Sequence, residues 1–335
     1  MCSRIIASFR SISLVNHVVA GVAGAGVFGG HHAAKYAALP NVEIAAIFDL
    51  NAEKAASLAA RVGARAYTDI DEFLENIDAV TVAAPASAHF EIARRALERG
   101  RHVLIEKPIA LRLEDADRLI ALASDGDLVL QVGHQERFVF EAFGILTRSK
   151  PPMSVRCVRA NPPTGRGDDV SVAFDLMVHD IDLIRRLDLG APVAIAATGG
   201  ADVLEAEIIC ERGTIVAMEA SRLAPVRDRR MRLVYDDGMI EVDFVRRTVE
   251  NTTPSPLTAS FDDACPPPAL ADPLSYGVAR FIDAVRGLAP PPITGAEARA
   301  ALEWALMIEA ARGGYASTTP VRATAGGRAK QRAMA

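Results

Sequence analysis

The chain has 335 residues, of which 50% are hydrophobic and 24% are charged, and its formal net charge at pH 7 is −5. This length favours two domains, and the composition is typical of a globular α/β protein. The weak negative charge gives no basic surface for nucleic acid, and no apolar run reaches the ~18 residues that suggest a membrane span.

Residues 1–16 precede the first predicted strand. Arg4 and Arg10 stand before an apolar stretch, an arrangement that superficially resembles a signal peptide. However, this stretch runs directly into a glycine-rich turn, so we interpret residues 1–16 as a poorly ordered leader. Four widely spaced cysteines form no CxxC pair, which favours reduced thiols. We therefore expect a cytoplasmic protein.

From residue 17 to residue 134, short β-branched runs alternate with longer helical patterns. Among them are the strand pattern HVVAGV and the helix pattern NAEKAASLAARV, for which Asn51 is the expected N-cap. Strands that alternate with helices of this length predict right-handed βαβ crossovers and a parallel sheet.

From residue 135 the pattern changes. A helical stretch over 135–149 is followed by a helix over 172–187 and then by five strand-like runs with no helix between them. Asp237-Gly238, between the last two runs, is a strong hairpin signal. We predict that residues 135–316 form a second α/β domain, with a largely antiparallel open sheet and two closing amphipathic helices. Residues 317–335 lack periodicity and are predicted to be a disordered tail.

A glycine-rich turn follows the first strand and opens the first helix. Its spacing is G-x-G-x-x-G, which permits a tight turn, close approach of the backbone to a pyrophosphate, and close packing of helix on strand. Asp49 ends the next strand, where an acid binds the adenosine ribose hydroxyls and repels a 2′-phosphate. This context predicts a Rossmann domain that binds NAD rather than NADP; the alternative is a plain turn with Asp49 capping the next helix. The predicted cofactor-binding residues of the turn are Gly24, Gly26, Val27, Phe28 and Gly29.

Later strands bring further candidates to the same edge of the sheet, where ligands of open α/β sheets bind. Pro85 and His89 would border the nicotinamide ribose, although a turn proline and a helix-surface histidine are equally ordinary. Glu106 and Lys107 end another strand and are also predicted to contact the cofactor. A lysine there can donate to an alcohol oxygen and lower its proton affinity, which makes Lys107 a catalytic candidate. The alternative is a lysine paired with Glu106.

A second group of titratable residues lies in the run DLMVHDID. Asp175 and His179 are four residues apart and would project from one stripe of an α-helix. A carboxylate beside an imidazole fixes its tautomer and raises its basicity, as a general base for alcohol oxidation requires. The alternatives are a solvated Asp–His pair and a metal site, since Asp182 continues the stripe. Hydride transfer to NAD needs no metal, so we predict none.

Four motifs occur in the order GAGVFG with Asp49, EKP, GHQERF and DLMVHDID. Together they resemble the Gfo/Idh/MocA oxidoreductases over about residues 17–314. The resemblance implies a Rossmann domain followed by an α/β domain whose open sheet mediates a homo-oligomer, a dimer or a tetramer. It also implies Lys107 and His179 as the catalytic pair, Asp175 as the third member, and a cis Lys107-Pro108 bond.

Within the family, the last two motifs look most like those of bacterial UDP-N-acetylglucosamine 3-dehydrogenases, which oxidise the sugar 3-hydroxyl to a ketone for lipid A-type (lipopolysaccharide) precursors. A sugar diphosphate needs cations, and guanidinium suits phosphate geometry, so Arg137, Arg159 and Arg166 are candidate substrate ligands, each with a structural or solvated alternative. The rival functions are an inositol or free-sugar dehydrogenase of the same family, a non-catalytic dinucleotide-sensing regulator, and a metal-dependent lyase or hydrolase.

Overall fold

The computed structural model describes residues 17–163 and 169–317. The predicted leader, the candidate ligand Arg166 and the predicted tail after Ser317 lie outside these residues. Ser317 itself, which the sequence pattern placed in the tail, ends a strand. In the described part of the chain, no helix has the length and apolar character needed to cross a membrane.

Six parallel strands form a sheet in the first half of the chain. Their order across the sheet reverses direction between the first and the fourth strand, as in a Rossmann fold, and ligands of such sheets bind at the carboxyl ends of the strands beside the reversal. The predicted parallel sheet is therefore confirmed. The third strand was not predicted, because three residues are too few to show a periodicity. The order is β3-β2-β1-β4-β5-β6, with β1 Val18–Ala23, β2 Val42–Phe48, β3 Arg65–Tyr67, β4 Ala79–Val82, β5 His102–Ile105 and β6 Leu130–Val132.

Five helices connect these strands and pack on the sheet. The Asn51 side chain accepts a hydrogen bond from the Lys54 N–H at 3.0 Å, so the predicted N-cap is confirmed. Every residue of β4 is buried, as expected for a strand covered on both faces. The helices are α1 Val27–Ala37, α2 Ala52–Val62, α3 Ile70–Glu75, α4 Ala86–Glu98 and α5 Leu113–Asp125.

A second sheet of eight strands follows. Neighbouring strands are antiparallel with one exception. The first strand of this half lies between two later strands and is parallel to one of them. The predicted hairpin at Asp237-Gly238 is present, with Tyr235 paired to Gly238. The first and the last two strands were not predicted. The order is β13-β12-β11-β7-β10-β9-β8-β14, with β7 Ser154–Ala160, β8 Pro192–Gly199, β9 Val203–Cys210, β10 Ile215–Ser221, β11 Asp228–Tyr235, β12 Gly238–Asp243, β13 Thr248–Asn251 and β14 Gly314–Ser317.

Further helices join the two sheets. The helix Pro273–Val285 returns to the first sheet, where Val278 and Phe281 share a core with Val18. The last helix begins with a capping box formed by Thr294 and Glu297. The elements are α6 Glu136–Phe143, a π-helical turn Ala173–Met177, α7 Val178–Arg185, α8 Pro268–Ala271, α9 Pro273–Val285 and α10 Gly295–Ala310.

The two faces of the second sheet differ. Helices α7 and α10 cover one face, where Ile181 and Trp304 share a core with Leu233. Along β9 buried and exposed residues alternate, so that the opposite face presents Glu205 and Glu207 outward. The candidate site lies where the start of α6 and the π-helical turn meet the carboxyl edge of the first sheet.

Candidate active site

The three glycines of the G-x-G-x-x-G turn have three different roles. Gly24 has φ of +108°, and a Cβ atom there would lie 2.5 Å from the Ala83 carbonyl oxygen. A Cβ atom on Gly29 would overlap the carbonyl oxygen of Gly24, so this glycine lets α1 pack on the turn. A Cβ atom on Gly26 would meet nothing within 4 Å, so its backbone is open to a ligand. These are the positions that a bound pyrophosphate requires.

The start of α1 is also open. Gly26 is the N-cap and provides no side-chain cap for the first-turn N–H groups. The first two residues of the helix, Val27 and Phe28, are 48% and 53% exposed, which is unusual for large apolar side chains. Free N–H groups and the positive end of the helix dipole suit a phosphate at this point.

Asp49 connects the end of β2 to this turn. One carboxylate oxygen accepts a hydrogen bond from the Ala25 N–H at 2.7 Å, and the other accepts one from the Asn51 N–H at 2.8 Å. The carboxylate therefore lies beside the glycine turn, where an acid can meet ribose hydroxyls. Together with the open turn, it fits a bound dinucleotide.

Pro85 and His89 follow β4 at the same edge. Pro85 is exposed and precedes α4 as its N-cap residue. His89 is buried, with Nδ1 at 2.7 Å from the Pro108 carbonyl oxygen and Nε2 at 3.0 Å from the Ala84 carbonyl oxygen. Burial lowers the pKa of His89. The ring therefore lies between two loops, and its place beside the cofactor stays a prediction.

Glu106 lies below the surface of the site. It is buried and is contacted by His32 Nε2 at 2.7 Å and by the Gln135 side-chain amide at 2.8 Å. Burial alone would raise the pKa of Glu106, but the hydrogen bond and charge of His32 and the charge of Lys107 together lower it. The hydrogen-bond partners of Glu106 are thus His32 and Gln135, whereas Lys107 pairs with Asp175, so the alternative of a Lys107–Glu106 pair is wrong.

Lys107 reaches across to the second half of the chain. Its Nζ donates to the carboxylate of Asp175 at 2.8 Å and to the main-chain carbonyl of Asp175 at 2.7 Å. The peptide bond between Lys107 and Pro108 is cis, as the family resemblance implied. An ammonium has three N–H donors, so one remains after these two bonds.

His179 does not pair with Asp175, contrary to the prediction. Asp175 lies on the π-helical turn, whose wider i→i+5 spacing displaces it from the α-helical stripe assumed for an i, i+4 pair. Its carboxylate binds Lys107 instead. The carboxylate beside His179 is that of Glu136, with Oε2 at 3.9 Å from Nδ1.

The surroundings of His179 keep its ring neutral. Burial is the largest effect that lowers the pKa of His179 well below its ordinary value, and the positive charges of Lys107 and Arg159 add to it. The ring also makes an edge-to-face contact with His134, at 6.3 Å between centroids. Lys107 and His179 thus lie close enough to interact, and the imidazole is in the form that can accept a proton.

Two of the three arginines predicted to bind substrate are structural. Arg137 is buried and donates to both oxygens of Asp182 and to Glu297. Arg159 is buried and donates to Glu136, at 2.6 and 2.9 Å, and to Asp180, at 2.6 and 3.0 Å. Carboxylates occupy these guanidinium groups, so the substrate-binding prediction is corrected for both.

The same pairs bear on the metal alternative. Asp182 faces Arg137 and is not directed at a shared centre with His179. Among residues 17–163 and 169–317, no group of three or more His, Cys, Asp or Glu side chains is arranged to hold a metal ion.

Sequence reasoning did not select Glu136 and Arg229, which also line this region. Glu136 belongs to GHQERF, so its closeness to a predicted site was a usable signal. Arg229 lies on β11 in an arginine-rich run, and no local pattern distinguished it from its exposed neighbours Arg230 and Arg232.

Comparison with known proteins defines the class. The family model described as "Oxidoreductase family, NAD-binding Rossmann fold" (GFO_IDH_MocA) matches residues 18–134. Over 307 residues the chain is 35% identical to UDP-N-acetylglucosamine 3-dehydrogenase of Acidithiobacillus ferrooxidans, covering 88% of this chain and 97% of that protein. The chain therefore belongs to the Gfo/Idh/MocA family and is an NAD-dependent dehydrogenase that acts on a CH–OH group.

Individual relatives and solved structures are also similar over most of their length. A solved structure of the A. ferrooxidans enzyme, GnnA, superposes with a TM-score of 0.79 at 35% identity, covering 89% of this chain and 98% of that one. GenD2 from gentamicin A biosynthesis, solved in complex with NAD, gives a TM-score of 0.78 at 25% identity over 93% and 99% of the two chains. Myo-inositol 2-dehydrogenase of Thermotoga maritima is 29% identical over 240 residues, 66% of this chain and 71% of that protein.

Proposed function

We propose that this protein oxidises the 3-hydroxyl of UDP-N-acetylglucosamine to a ketone, with NAD as the hydride acceptor. The single observation that carries the catalytic part is the ammonium of Lys107, which Asp175 holds in place near the largely buried ring of His179, where it helps to lower the pKa of that ring. The sugar nucleotide is supported by the 35% identity to an enzyme of that name over almost its whole length.

His179 is the proposed general base. Its Nδ1 is buried without a hydrogen-bond partner among the described residues, so we assign Nε2 as the nitrogen that takes the proton. A neutral imidazole within hydrogen-bond distance of the hydroxyl can take its proton as the carbinol hydrogen leaves as hydride. The products are then the ketone, a protonated His179 and the reduced cofactor.

Lys107 is the proposed polarising group. Asp175 receives two hydrogen bonds from its ammonium, and the third N–H is available to the reacting oxygen. A positive donor at that oxygen stabilises the negative charge that develops as the proton leaves. Asp175 thus acts on Lys107, in place of the role beside His179 that the sequence indicated.

The residues that would hold NAD are those of the open turn. Gly24, Gly26 and Gly29 allow the pyrophosphate to approach the start of α1, and Asp49 is placed for the ribose hydroxyls. NAD, when bound, supplies the hydride acceptor of the reaction.

A substrate panel tests the proposal. NADH formation would be measured with UDP-N-acetylglucosamine, N-acetylglucosamine, glucose 6-phosphate and myo-inositol, with the His179→Ala variant as a control for contaminating dehydrogenases. We expect kcat/KM for the sugar nucleotide to exceed that for myo-inositol by at least about 100-fold, because a site built for a polar group rejects analogues that lack it. Reduction of the product with borodeuteride should place deuterium at C3.

The main competing function is inositol oxidation, which the T. maritima relative favours. Faster turnover of myo-inositol, or deuterium at another ring carbon, would overturn the proposed substrate. We also propose that the outward face of the second sheet joins subunits into a homo-oligomer, which light scattering would test. A 3-keto sugar nucleotide is a suitable precursor for amination, consistent with the lipid A-type role that the resemblance implied.

A further inference from the structure

Arg229 lies on β11 directly opposite Arg159 of β7, so two arginines face each other on the inner side of the sheet. Like charges in directly opposed positions destabilise a sheet unless something compensates them. Arg159 is compensated, because Glu136 and Asp180 accept its hydrogen bonds. Both carboxylates are therefore already engaged by the first arginine.

Among residues 17–163 and 169–317, Arg229 has no such hydrogen-bonded partners. The carboxylate of Glu136 lies 3.9 Å away, between Nη1 and Oε1, which is too long for a hydrogen bond. Its Nε is buried and has no acceptor within the described residues. Burial, followed by the repulsion from Arg159, lowers the pKa of Arg229 to about 10. A half-buried guanidinium with unmatched donors costs the unliganded protein free energy.

Arg229 and its unmatched donors lie close to the proposed catalytic base. One oxygen of Glu136 faces Arg229 and the other faces Nδ1 of His179, each at 3.9 Å. The guanidinium and the proposed base therefore flank the same carboxylate. The side chain of Arg229 is 26% exposed, so its donors remain accessible to a ligand. The glycine turn that fits the cofactor phosphates lies on the other sheet, which separates Arg229 from that role.

We propose that Arg229 donates hydrogen bonds to a phosphate oxygen of the substrate and thereby selects phosphorylated sugars over neutral polyols. This inference rests on the proposed function and deepens it by naming the residue that recognises the charged group. Guanidinium presents a planar fork of donors that matches two phosphate oxygens. Phosphate would also supply an acceptor for the buried Nε of Arg229. The shared chemistry is that of a sugar diphosphate or a sugar monophosphate.

The test compares Arg229→Gln and Arg229→Lys with the matched control Arg232→Gln. Arg232 is on the same strand but three residues further, so it points to the other face, where it pairs with Glu241. Binding of UDP, glucose 6-phosphate and N-acetylglucosamine to the NADH-loaded protein would be measured by calorimetry. We expect Arg229→Gln to weaken binding of the preferred phosphate ligand roughly 10- to 100-fold and to leave N-acetylglucosamine unaffected, whereas Arg232→Gln changes neither.

Thermal melting gives an independent readout. If Arg229 serves a ligand, Arg229→Gln should melt at the same or a higher temperature without ligand and should lose the stabilisation by UDP. A lower melting temperature together with weaker binding of every ligand, NADH included, would mark Arg229 as structural and overturn the inference. So would unchanged phosphate binding in Arg229→Gln, or the absence of any phosphate binding by the unmodified protein.

The same measurements distinguish the inference about Arg229 from the proposed function. Turnover of UDP-N-acetylglucosamine with a KM unaffected by Arg229→Gln would remove Arg229 and retain the proposed function. Arg229-dependent binding of UDP without turnover of any UDP-sugar would support the inference and remove the proposed reaction. A preference for glucose 6-phosphate over UDP would identify a monophosphate as the recognised group.

Discussion

The protonation of His179 should set the acid limb of the pH–rate profile. A free histidine with a pKa of about 6.5 is only about one quarter neutral at pH 6. Burial and the charges of Lys107 and Arg159 lower the pKa of His179, so its neutral, proton-accepting form extends to lower pH. We therefore expect kcat/KM, measured as NADH formation at saturating NAD between pH 5 and 9, to remain above one quarter of its plateau at pH 6. Below the shifted pKa it should fall about tenfold per pH unit.

The His179→Ala variant assigns this limb. Loss of a general base should reduce turnover by about 10²–10⁴-fold and abolish the acid limb, while NAD affinity, measured by quenching of protein fluorescence, stays nearly unchanged. A half-maximal rate at pH 7 or above in the unmodified protein would refute the reasoning, because it would require a raised pKa. Persistence of the same acid limb in His179→Ala would assign it to another group.

Three further predictions concern the framework and the cofactor site. Arg137→Met should lower the free energy of unfolding by about 3–5 kcal/mol in urea titration, because Asp182 is left buried and unpaired. Adding Asp182→Leu to the same chain should restore most of this stability. A double variant that is less stable by the sum of the two single losses would contradict this account. Asp49→Asn should improve the kcat/KM ratio of NADP to NAD at least about tenfold, because a like charge no longer opposes the 2′-phosphate; an unchanged ratio would remove Asp49 from cofactor selection. Gly29→Ala should abolish NADH binding in fluorescence titration, since its Cβ would overlap the Gly24 carbonyl; normal affinity would show that α1 can shift.

The first sheet and the cofactor site could be predicted because their signals are local. Hydrophobic patterning marks every strand of this sheet except the three-residue β3, and the glycine spacing with Asp49 falls within one βαβ unit. The Asn51 cap is similarly local, since its hydrogen bond spans three residues. Each of these features depends on residues that are close together in the chain, so it can be predicted without knowledge of the fold.

The second sheet was predicted less completely because its pairing is long-range. Strand β7 carries Arg156 and Arg159 among its apolar residues, a pattern that does not suggest a central strand. It lies between β10 and β11, which follow it by some fifty to seventy residues in the chain. Only this placement brings Arg159 to its carboxylate partners and makes a buried arginine acceptable.

The run DLMVHDID shows why residue spacing alone could not assign the catalytic pairs. Each of its three carboxylates binds a cation from a different part of the fold: a strand end of the first sheet, helix α6 or strand β7. The pairs are Asp175–Lys107, Asp180–Arg159 and Asp182–Arg137. His179 lies between them, and no carboxylate of the described residues is hydrogen-bonded to it. A paired carboxylate would raise the pKa of His179 and favour its protonated form, whereas burial beside cations keeps it neutral. Because Asp175 pairs with Lys107 and not with His179, the ammonium is held in place and the imidazole stays neutral.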